Sequence, residues 1–289
     1  MISQRHYILN FLNILNFLFK SVPTPLDQNL KLDADSGTKE YEPIHYHKLV
    51  GSLIYLTITR PDLNYPIGLL SQFMQTPRDI HLNYTKRILR YVSRTTDDDI
   101  HYKSATPIRL EGYTDADWAD YKAHKRSTSR IVISIGSGAI SWRSKKQLIV
   151  PLSSIEAEYK GAVVAACEAV WFKKILKDLD VSIKDPILLY CDNMSSIHLA
   201  RNLVFHAPTK HIEVHYHFIR ERVLIGDVDL QHINTNLQTT NIFMKALGAD
   251  KLRQFTTSLG LSIINKLILR GSKESLPDTK SNEAEQTYD

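Results

Sequence analysis

The chain has 289 residues, of which 43% are hydrophobic, 23% charged and 9% aromatic, a composition that excludes collagen-like, low-complexity and wholly disordered proteins. Lys and Arg number 36 against 31 Asp and Glu, for a formal net charge of +5, which is compatible with a polyanionic partner without identifying one. The cysteines, Cys167 and Cys191, are too few for a disulfide scaffold or a four-cysteine zinc site and favour a reducing compartment.

The most apolar segment lies near the N-terminus, over residues 7–19, where Asn10, Asn13 and Asn16 recur at every third position. It is shorter than the ~20 apolar residues that a membrane span needs, and the Asn stripe indicates an amphipathic helix over 4–19. No small-x-small cleavage site follows it, so we predict no secretion signal. We expect an intracellular protein, cytoplasmic or nuclear, without a membrane partner.

The rest of the first hundred residues also has the character of helices. A polar, irregular stretch over 26–42 separates the first helix from the others. Apolar periodicity then predicts helices over 46–55, 66–73 and 81–92. Together these segments predict a small, mainly helical unit that ends before residue 108.

Beyond residue 107 the pattern changes to alternating apolar and polar residues, which is typical of strands. The segments 108–113, 129–136 and 139–142 predict a three-stranded antiparallel meander. The further predicted elements are helices over 153–177, 195–201, 210–223 and 239–247, and strands over 187–191 and 228–233. The order is that of an α/β domain. The polar composition of 271–289 predicts a disordered tail.

Carboxylates occur at three places that such a fold could bring together. Asp115 lies on the first strand of the meander, Glu156 and Glu158 begin the long helix, and Asp192 ends an apolar strand. Converging carboxylates repel one another unless a cation neutralises them, and oxygen ligands favour Mg²⁺ or Mn²⁺. The alternative is that the aspartates cap turns and the glutamates stabilise a helix N-terminus. Spacing alone leaves both interpretations open.

Six motifs follow one another along this part of the chain: 112–118 (GYTDADW), 126–129 (RSTS), 140–147 (ISWRSKKQ), 153–159 (SSIEAEY), 190–193 (YCDN) and 209–213 (TKHIE). In this order they resemble the ribonuclease H domain of copia-type retrotransposon Pol polyproteins. Upstream, 46–56 (YHKLVGSLIYL), 59–62 (TRPD) and 88–91 (ILRY) resemble the segment that joins the reverse transcriptase to that domain. The resemblance runs from about residue 2 to residue 260.

The resemblance implies a fold and a division of the chain. The expected fold is α/β, a ribonuclease H-like mixed five-stranded sheet flanked by helices, over 108–250. Residues 1–107 are expected to be a mainly helical C-terminal remnant of the reverse transcriptase, similar to its thumb or connection, and 251–289 a partly disordered extension. The Tyr-x-Asp-Asp motif of the polymerase palm does not occur, so we expect no polymerase activity.

The resemblance also implies an activity, the cleavage of RNA in RNA–DNA hybrids by an Asp, Glu, Asp, Asp set that binds two Mg²⁺ ions. Asp115 matches the first acid and Asp192 the third. Glu158 is the favoured match for the glutamate, because 158–161 (EYKG) resembles the family's pattern, and Glu156 remains the alternative. The expected metal ligands are therefore Asp115, Glu158 and Asp192, with Mg²⁺ or Mn²⁺ as cofactor.

The fourth acid is where this sequence departs from the family. Residues 238–247 (QTTNIFMKAL) align without a gap and place Asn241 at the acid, while Asn236 stands where the family often carries a His. An Asn carbonyl can still ligate a metal, so we expect weaker ion binding with Asn241 as a residual member of the catalytic set. The alternative function is a catalytically impaired nucleic-acid-binding relic.

Basic residues around this centre are candidates for binding the phosphates of a hybrid. They are Arg126, Lys145, Lys146, Lys210, His211 and Arg220. A solvated charged face is the alternative interpretation. The histidines do not match a zinc motif, since 211–215 (HIEVH) differs from His-Glu-x-x-His, and no zinc is expected. A reverse transcriptase supplied in trans is a further expected partner.

Overall fold

A computed structural model of the chain describes residues 1–15, 20–28, 30, 32–33, 36–37, 39–117, 127–148, 150–151, 153–201 and 210–263, without the side chains of 210–216. Arg126, the predicted tail over 271–289, and the side chains of Lys210 and His211 therefore lie outside the described part of the chain.

The first hundred residues form the helices that the apolar periodicity predicts. They are α1 (Arg5–Ile14), α2 (Pro43–Leu56), α3 (Asn64–Ser71) and α4 (Asp79–Arg94), with a 3-10 turn over Pro61–Leu63 between α2 and α3. Pro43 stands in the first turn of α2, where its missing N–H has no intrahelical partner to lose. Pro61 opens the 3-10 turn that follows α2, and a proline at this place cannot continue the helix.

A short strand, β1 (Asp99–Ile100), follows α4, and the chain then forms a five-stranded mixed sheet. Its strands are β2 (Leu110–Asp117), β3 (Thr128–Ile135), β4 (Gly138–Lys146), β5 (Ile187–Cys191) and β6 (Val228–His232), and its helices are α5 (Ser154–Asp178), α6 (Met194–Arg201) and α7 (Lys210–Leu224). The order across the sheet is β4-β3-β2-β5-β6. The β2-β3-β4 meander is antiparallel, whereas β5 pairs in parallel with β2 and β6 in parallel with β5. The expected fold class, a ribonuclease H-like α/β sheet behind a helical segment, is confirmed.

Both faces of the sheet are covered by helices, as the burial of the β3 side chains shows. Ile131 and Ile133 are buried in one cluster with α5, whereas Val132, between them, is buried in a second cluster with the N-terminal helices. Successive strand residues point to opposite faces, so an apolar run is expected where both faces are packed. The alanines at 162, 165, 166 and 169 line α5 where it packs on the sheet, and their small side chains allow a close approach.

The prediction of a helix over 239–247 is wrong. The structure has a 3-10 helix over Thr239–Phe243, and the chain then continues to α8 (Ala249–Ser258). All five residues of the 3-10 helix are buried, which is not compatible with the one-sided face of a surface α-helix. Tertiary burial, together with the low helix propensity of Thr and Asn, overrides the local pattern.

Neither α8 nor a small second sheet is predicted from the sequence. This sheet pairs β1 with β7 (Leu261–Ser262), so residues far apart in the chain meet beside the N-terminal helices. Leu252 and Phe255 of α8 join the same cluster as the first four helices. The proposed division at residues 107 and 250 stays a prediction.

Gly112, in the central strand β2, provides a test of this packing. A Cβ atom at this position would lie 2.5 Å from Leu189 Cδ2 and 2.9 Å from Ile133 Cδ1. We expect Gly112→Ala to lower the free energy of unfolding by about 1–3 kcal/mol, because an overpacked core must shift its side chains or its backbone. Urea denaturation measures the difference.

The matched control is Gly51→Ala in α2, where nothing lies within 4 Å of the added Cβ. There we expect a gain of about 0.5–1 kcal/mol, since Ala is the better helix former. Equal effects of the two substitutions would contradict the tight packing of β2.

Candidate active site

Two neighbouring parallel strands bring two of the predicted acids together. Thr114 of β2 is paired with Cys191 of β5, so the next residue along each strand, Asp115 and Asp192 respectively, lies at the same edge of the sheet. The carboxyl ends of parallel strands are where open α/β sheets place their ligands. Asp115 is buried, with 7% of its surface exposed, and Asp192 is half-buried.

The first turns of α5 supply the third acid, which is Glu158. Its Oε2 accepts a hydrogen bond from the backbone N–H of Ala116 at 3.2 Å, and the residue is 8% exposed. Glu156 instead forms an ion pair with Lys160, at 2.6 Å between Oε1 and Nζ. Residues two apart on a helix face different directions, and the structure brings Glu158 rather than Glu156 to the aspartates.

Gly161 explains how Glu158 comes so close to β2. A Cβ atom on Gly161 would lie 3.1 Å from Thr114 Oγ1 and 3.5 Å from the Cβ of Ala116. The absence of a side chain lets α5 pack directly on the strand one turn after Glu158. The carboxylate is thereby held against the backbone of β2.

The electrostatics of the site are dominated by burial and mutual repulsion. Burial, reinforced by Asp115 and Asp192, raises the pKa of Glu158 to about 9. Burial also raises the pKa of Asp115 to about 6, with Arg130 opposing the shift and Asp117 and Asp192 adding to it. A hydrogen bond links the Asp115 and Glu158 side chains. At neutral pH the pair therefore holds a proton, which is what a cation would replace.

The donor set fits a hard divalent cation. Oxygen atoms of Glu158 and Asp192 and the Sγ of Cys191 all lie within 4.8 Å of one another. Within the described part of the chain, the buried Asp115 Oδ2 has no hydrogen-bond partner. Burial raises the pKa of the Cys191 thiol to about 12, so it remains protonated and is a weak ligand beside the carboxylates. Asp115, Glu158 and Asp192 are the residues that could hold Mg²⁺ or Mn²⁺.

Asn241 lies at the edge of this cluster. It is 6% exposed, and its Nδ2 donates to the carbonyl of Thr235 at 2.8 Å. The Oγ1 of Thr235 in turn donates to Asp192 Oδ2 at 3.1 Å. Asn236 is exposed, and its carbonyl accepts a hydrogen bond from Lys251. Asn241 is thus connected to Asp192 through Thr235.

Arg130 is a further member of the site, and the sequence does not predict it. Its Nη2 lies 2.6 Å from Asp117 Oδ2, and its Nη1 lies 3.7 Å from Asp115 Oδ2. Its Nε donates to the carbonyl of Phe243 at 3.1 Å. Local sequence marks Arg130 only as a member of an alternating strand, and nothing in it signals that this side chain faces the acids.

The predicted phosphate-binding residues differ in their exposure to solvent. Lys145 and Lys146 are exposed at the end of β4. The prediction that Arg220 lies on an exposed basic surface is wrong, because the residue is 7% exposed. Its guanidinium donates to the carbonyl of Leu199 at 3.2 Å. It joins α7 to the end of α6, and its burial removes it from the exposed basic surface.

In the described residues, no helix combines the length and the hydropathy that crossing a bilayer requires.

Relatives are found among the Pol polyproteins of transposons, although no family model matches the chain. The chain is 40% identical over 262 residues to the retrovirus-related Pol polyprotein from transposon RE1 of Arabidopsis thaliana, covering 90% of this chain and 18% of that protein. It is 36% identical over 268 residues to that from transposon TNT 1-94 of Nicotiana tabacum, covering 90% of this chain and 20% of the relative.

Among solved structures, LC11-RNase H1 in complex with an RNA/DNA hybrid is 13% identical to the chain, with a TM-score of 0.33, over 45% of this chain and 88% of that one.

The chain spans about a fifth of the length of the transposon polyproteins that it matches. Their similarity covers nearly all of this chain, including the strands and helix that carry the acids. Over 90% of its length the chain is therefore homologous to a segment of the retrovirus-related Pol polyproteins of transposons.

Proposed function

We propose that this chain is the ribonuclease H-like part of a copia-type Pol polyprotein and cleaves the RNA strand of RNA–DNA hybrids with the help of Mg²⁺ or Mn²⁺. The observation that carries the proposal is the convergence of Asp115, Glu158 and Asp192 from β2, α5 and β5. When bound, divalent ions activate a water molecule and stabilise the leaving oxygen of a phosphodiester.

The chain's own residues prepare this site in distinct ways. Glu158 is held by the N–H of Ala116, so it presents its carboxylate from a fixed helix turn. Asp192 is oriented by Thr235 and lies on the more open side of the cluster. Lys145 and Lys146 are exposed at the end of β4, where their charges would attract the phosphates of a hybrid.

A second candidate function is hybrid binding without cleavage. It is favoured by the amide of Asn241, which is neutral where the family carries an acid, and by the guanidinium of Arg130 beside Asp115. Both features lower the negative charge available to the cations. In either case the RNA–DNA hybrid is the proposed partner.

Cleavage of a labelled RNA–DNA hybrid in Mg²⁺, and separately in Mn²⁺, tests the proposal. We expect cleavage by the unmodified chain and a loss of about 10²-fold or more in Asp192→Asn, because one carboxylate that stabilises the reacting centre is removed. We expect Asn241→Asp to raise the rate about 10-fold, since ion affinity depends on the groups around the ligands.

The control is Asp229→Asn, which makes the same chemical change on β6, where Asp229 is bound by Arg201 and Gln231. Its cleavage rate should match that of the unmodified chain. Tight hybrid binding without cleavage by both the unmodified chain and Asn241→Asp would refute the nuclease proposal and establish the second candidate.

A further inference from the structure

Arg130 places a positive charge inside a site whose acids otherwise call for a metal ion. It is 5% exposed, and a guanidinium buried this deeply remains charged. The antiparallel register sets Arg130 of β3 directly opposite Asp115 of β2, so both side chains lie on the same face of the sheet. The strand register therefore places Arg130 in the site.

The contacts of Arg130 show that Asp115 is not its main anchor. The guanidinium is tied to Asp117 at 2.6 Å and to the Phe243 carbonyl at 3.1 Å, but it stays 3.7 Å from Asp115 Oδ2. In the described structure, Arg130 Nη1, Asp115 Oδ2 and Asp117 Oδ2 each lack a hydrogen-bond partner, so the short contact with Asp117 is an ion pair. The guanidinium thus lies near Asp115 without forming a hydrogen bond to its Oδ2 atom.

The count of charges explains what this arrangement does. Asp115, Glu158 and Asp192, together with Asp117, can supply four negative charges, and two divalent ions would match them. The single charge of Arg130 offsets one of the four, and Asn241 adds none. The Arg130 guanidinium therefore competes with a bound metal ion for Asp115. It makes no such contact with Glu158 or Asp192 in the described structure.

We propose that Arg130 is an internal counter-ion that weakens divalent-ion binding on the Asp115 side of the site and confines tight binding to Glu158 and Asp192. This inference rests on the proposed function, because it concerns the same cation site. Arg130 acts as a positioning residue as well, since its bond to Phe243 holds the 3-10 helix that carries Asn241.

Calorimetric titration of Mn²⁺ into the unmodified chain, Arg130→Gln and Arg130→Lys tests the inference without measuring cleavage. Gln is neutral and retains a donor for the Phe243 carbonyl, whereas Lys keeps the charge. We expect Arg130→Gln to bind Mn²⁺ at least about 10-fold more tightly, or to bind a second ion, because one opposing charge is gone. Arg130→Lys should stay close to the unmodified chain.

Arg143→Gln is the matched control for a lost positive charge. Arg143 lies on β4 and forms an ion pair with Glu168 at 2.7 Å, outside the acid cluster. Its Mn²⁺ affinity should be that of the unmodified chain. If Arg143→Gln and Arg130→Gln tighten binding equally, the effect is one of net charge and the inference is overturned.

The remaining outcomes separate this inference from the proposed function. Mn²⁺ binding by the unmodified chain that Arg130→Gln leaves unchanged overturns the counter-ion role alone. No binding by any variant contradicts the proposed cation site itself. Should Arg130→Gln fail to fold in metal-free buffer, the inference requires that Mn²⁺ restore its cooperative thermal unfolding, and failure to do so overturns it.

Discussion

Metal-free stability should fall as the pH rises from about 5 to about 9, and Glu158→Gln should remove most of that fall. The pKa of Glu158 is raised to about 9 in the folded chain, against about 4.3 for an unfolded glutamate. The folded state therefore binds more protons than the unfolded state throughout this range. Stability is greatest below the unfolded pKa and is lost as the pH approaches the folded pKa.

The size of this effect follows from the shift. One pKa unit corresponds to about 1.4 kcal/mol, so a shift of several units on a buried carboxyl implies a loss on the order of 3 kcal/mol or more. The amide introduced by Glu158→Gln cannot ionise and keeps a carbonyl for the N–H of Ala116, whose bond to Glu158 spans 3.2 Å. Asp115, with its pKa raised to about 6, accounts for the smaller dependence that remains at the acidic end.

Urea denaturation in EDTA at several pH values between about 5 and about 9 measures this dependence. Glu156→Gln is the control, because Glu156 lies on the same helix but pairs with Lys160, and it should keep the full pH dependence. A steep dependence that survives in Glu158→Gln would show that Glu158 is not the group responsible. Mg²⁺ should flatten the dependence of the unmodified chain if the cation takes the place of the proton.

Asp62→Asn is expected to cost about 3–5 kcal/mol of folding stability, because it leaves Arg60 as a buried charge without its counter-ion. Both residues are 1% exposed. Arg60 binds Asp62 through Nε at 2.9 Å and Nη2 at 2.7 Å, and its Nη1 donates to the carbonyl of Thr95 at the end of α4. The pair thus joins the turn after α2 to the C-terminus of α4.

Thermal or urea unfolding of Asp62→Asn measures the loss. Asp185→Asn is the matched control, since Asp185 pairs with Arg109 at 3.3 Å on the surface, where an ion pair contributes less than about 1 kcal/mol. Tyr91→Phe removes one hydrogen bond to Asp62 and should cost about 1–2 kcal/mol. A loss in Asp62→Asn no larger than that in Asp185→Asn would contradict the structural role of the pair.

Several features of the site could be predicted because they depend on local sequence. Alternation identified the meander, and an apolar run ending in an acid identified the strand before Asp192. The choice of Glu158 over Glu156 came from the resemblance, and the structure places Glu158 against Ala116. Strand and helix periods fix which face a residue occupies, so such placements follow from spacing once the elements are known.

Other features depend on which elements meet, and local patterns do not contain this information. Arg220 has the composition of a basic surface but is buried against the end of α6, because two helices pack there. The β1 and β7 strands are two residues each and pair across the chain, so neither has a recognisable period. The helix predicted over 239–247 does not form, because residues 239–243 are all buried in a 3-10 helix.

The amino-acid sequence by itself predicted the α/β class and the order of the strands along the chain, because both follow from periodicity. The candidate acids Asp115, Glu158 and Asp192 came from the resemblance of its motifs to the copia-type ribonuclease H domain. Only the tertiary structure decided that Arg130 lies opposite Asp115 and that its guanidinium enters the acid cluster. Register between strands sets such cross-strand neighbours. Register is a property of the packed sheet, and no single strand carries it.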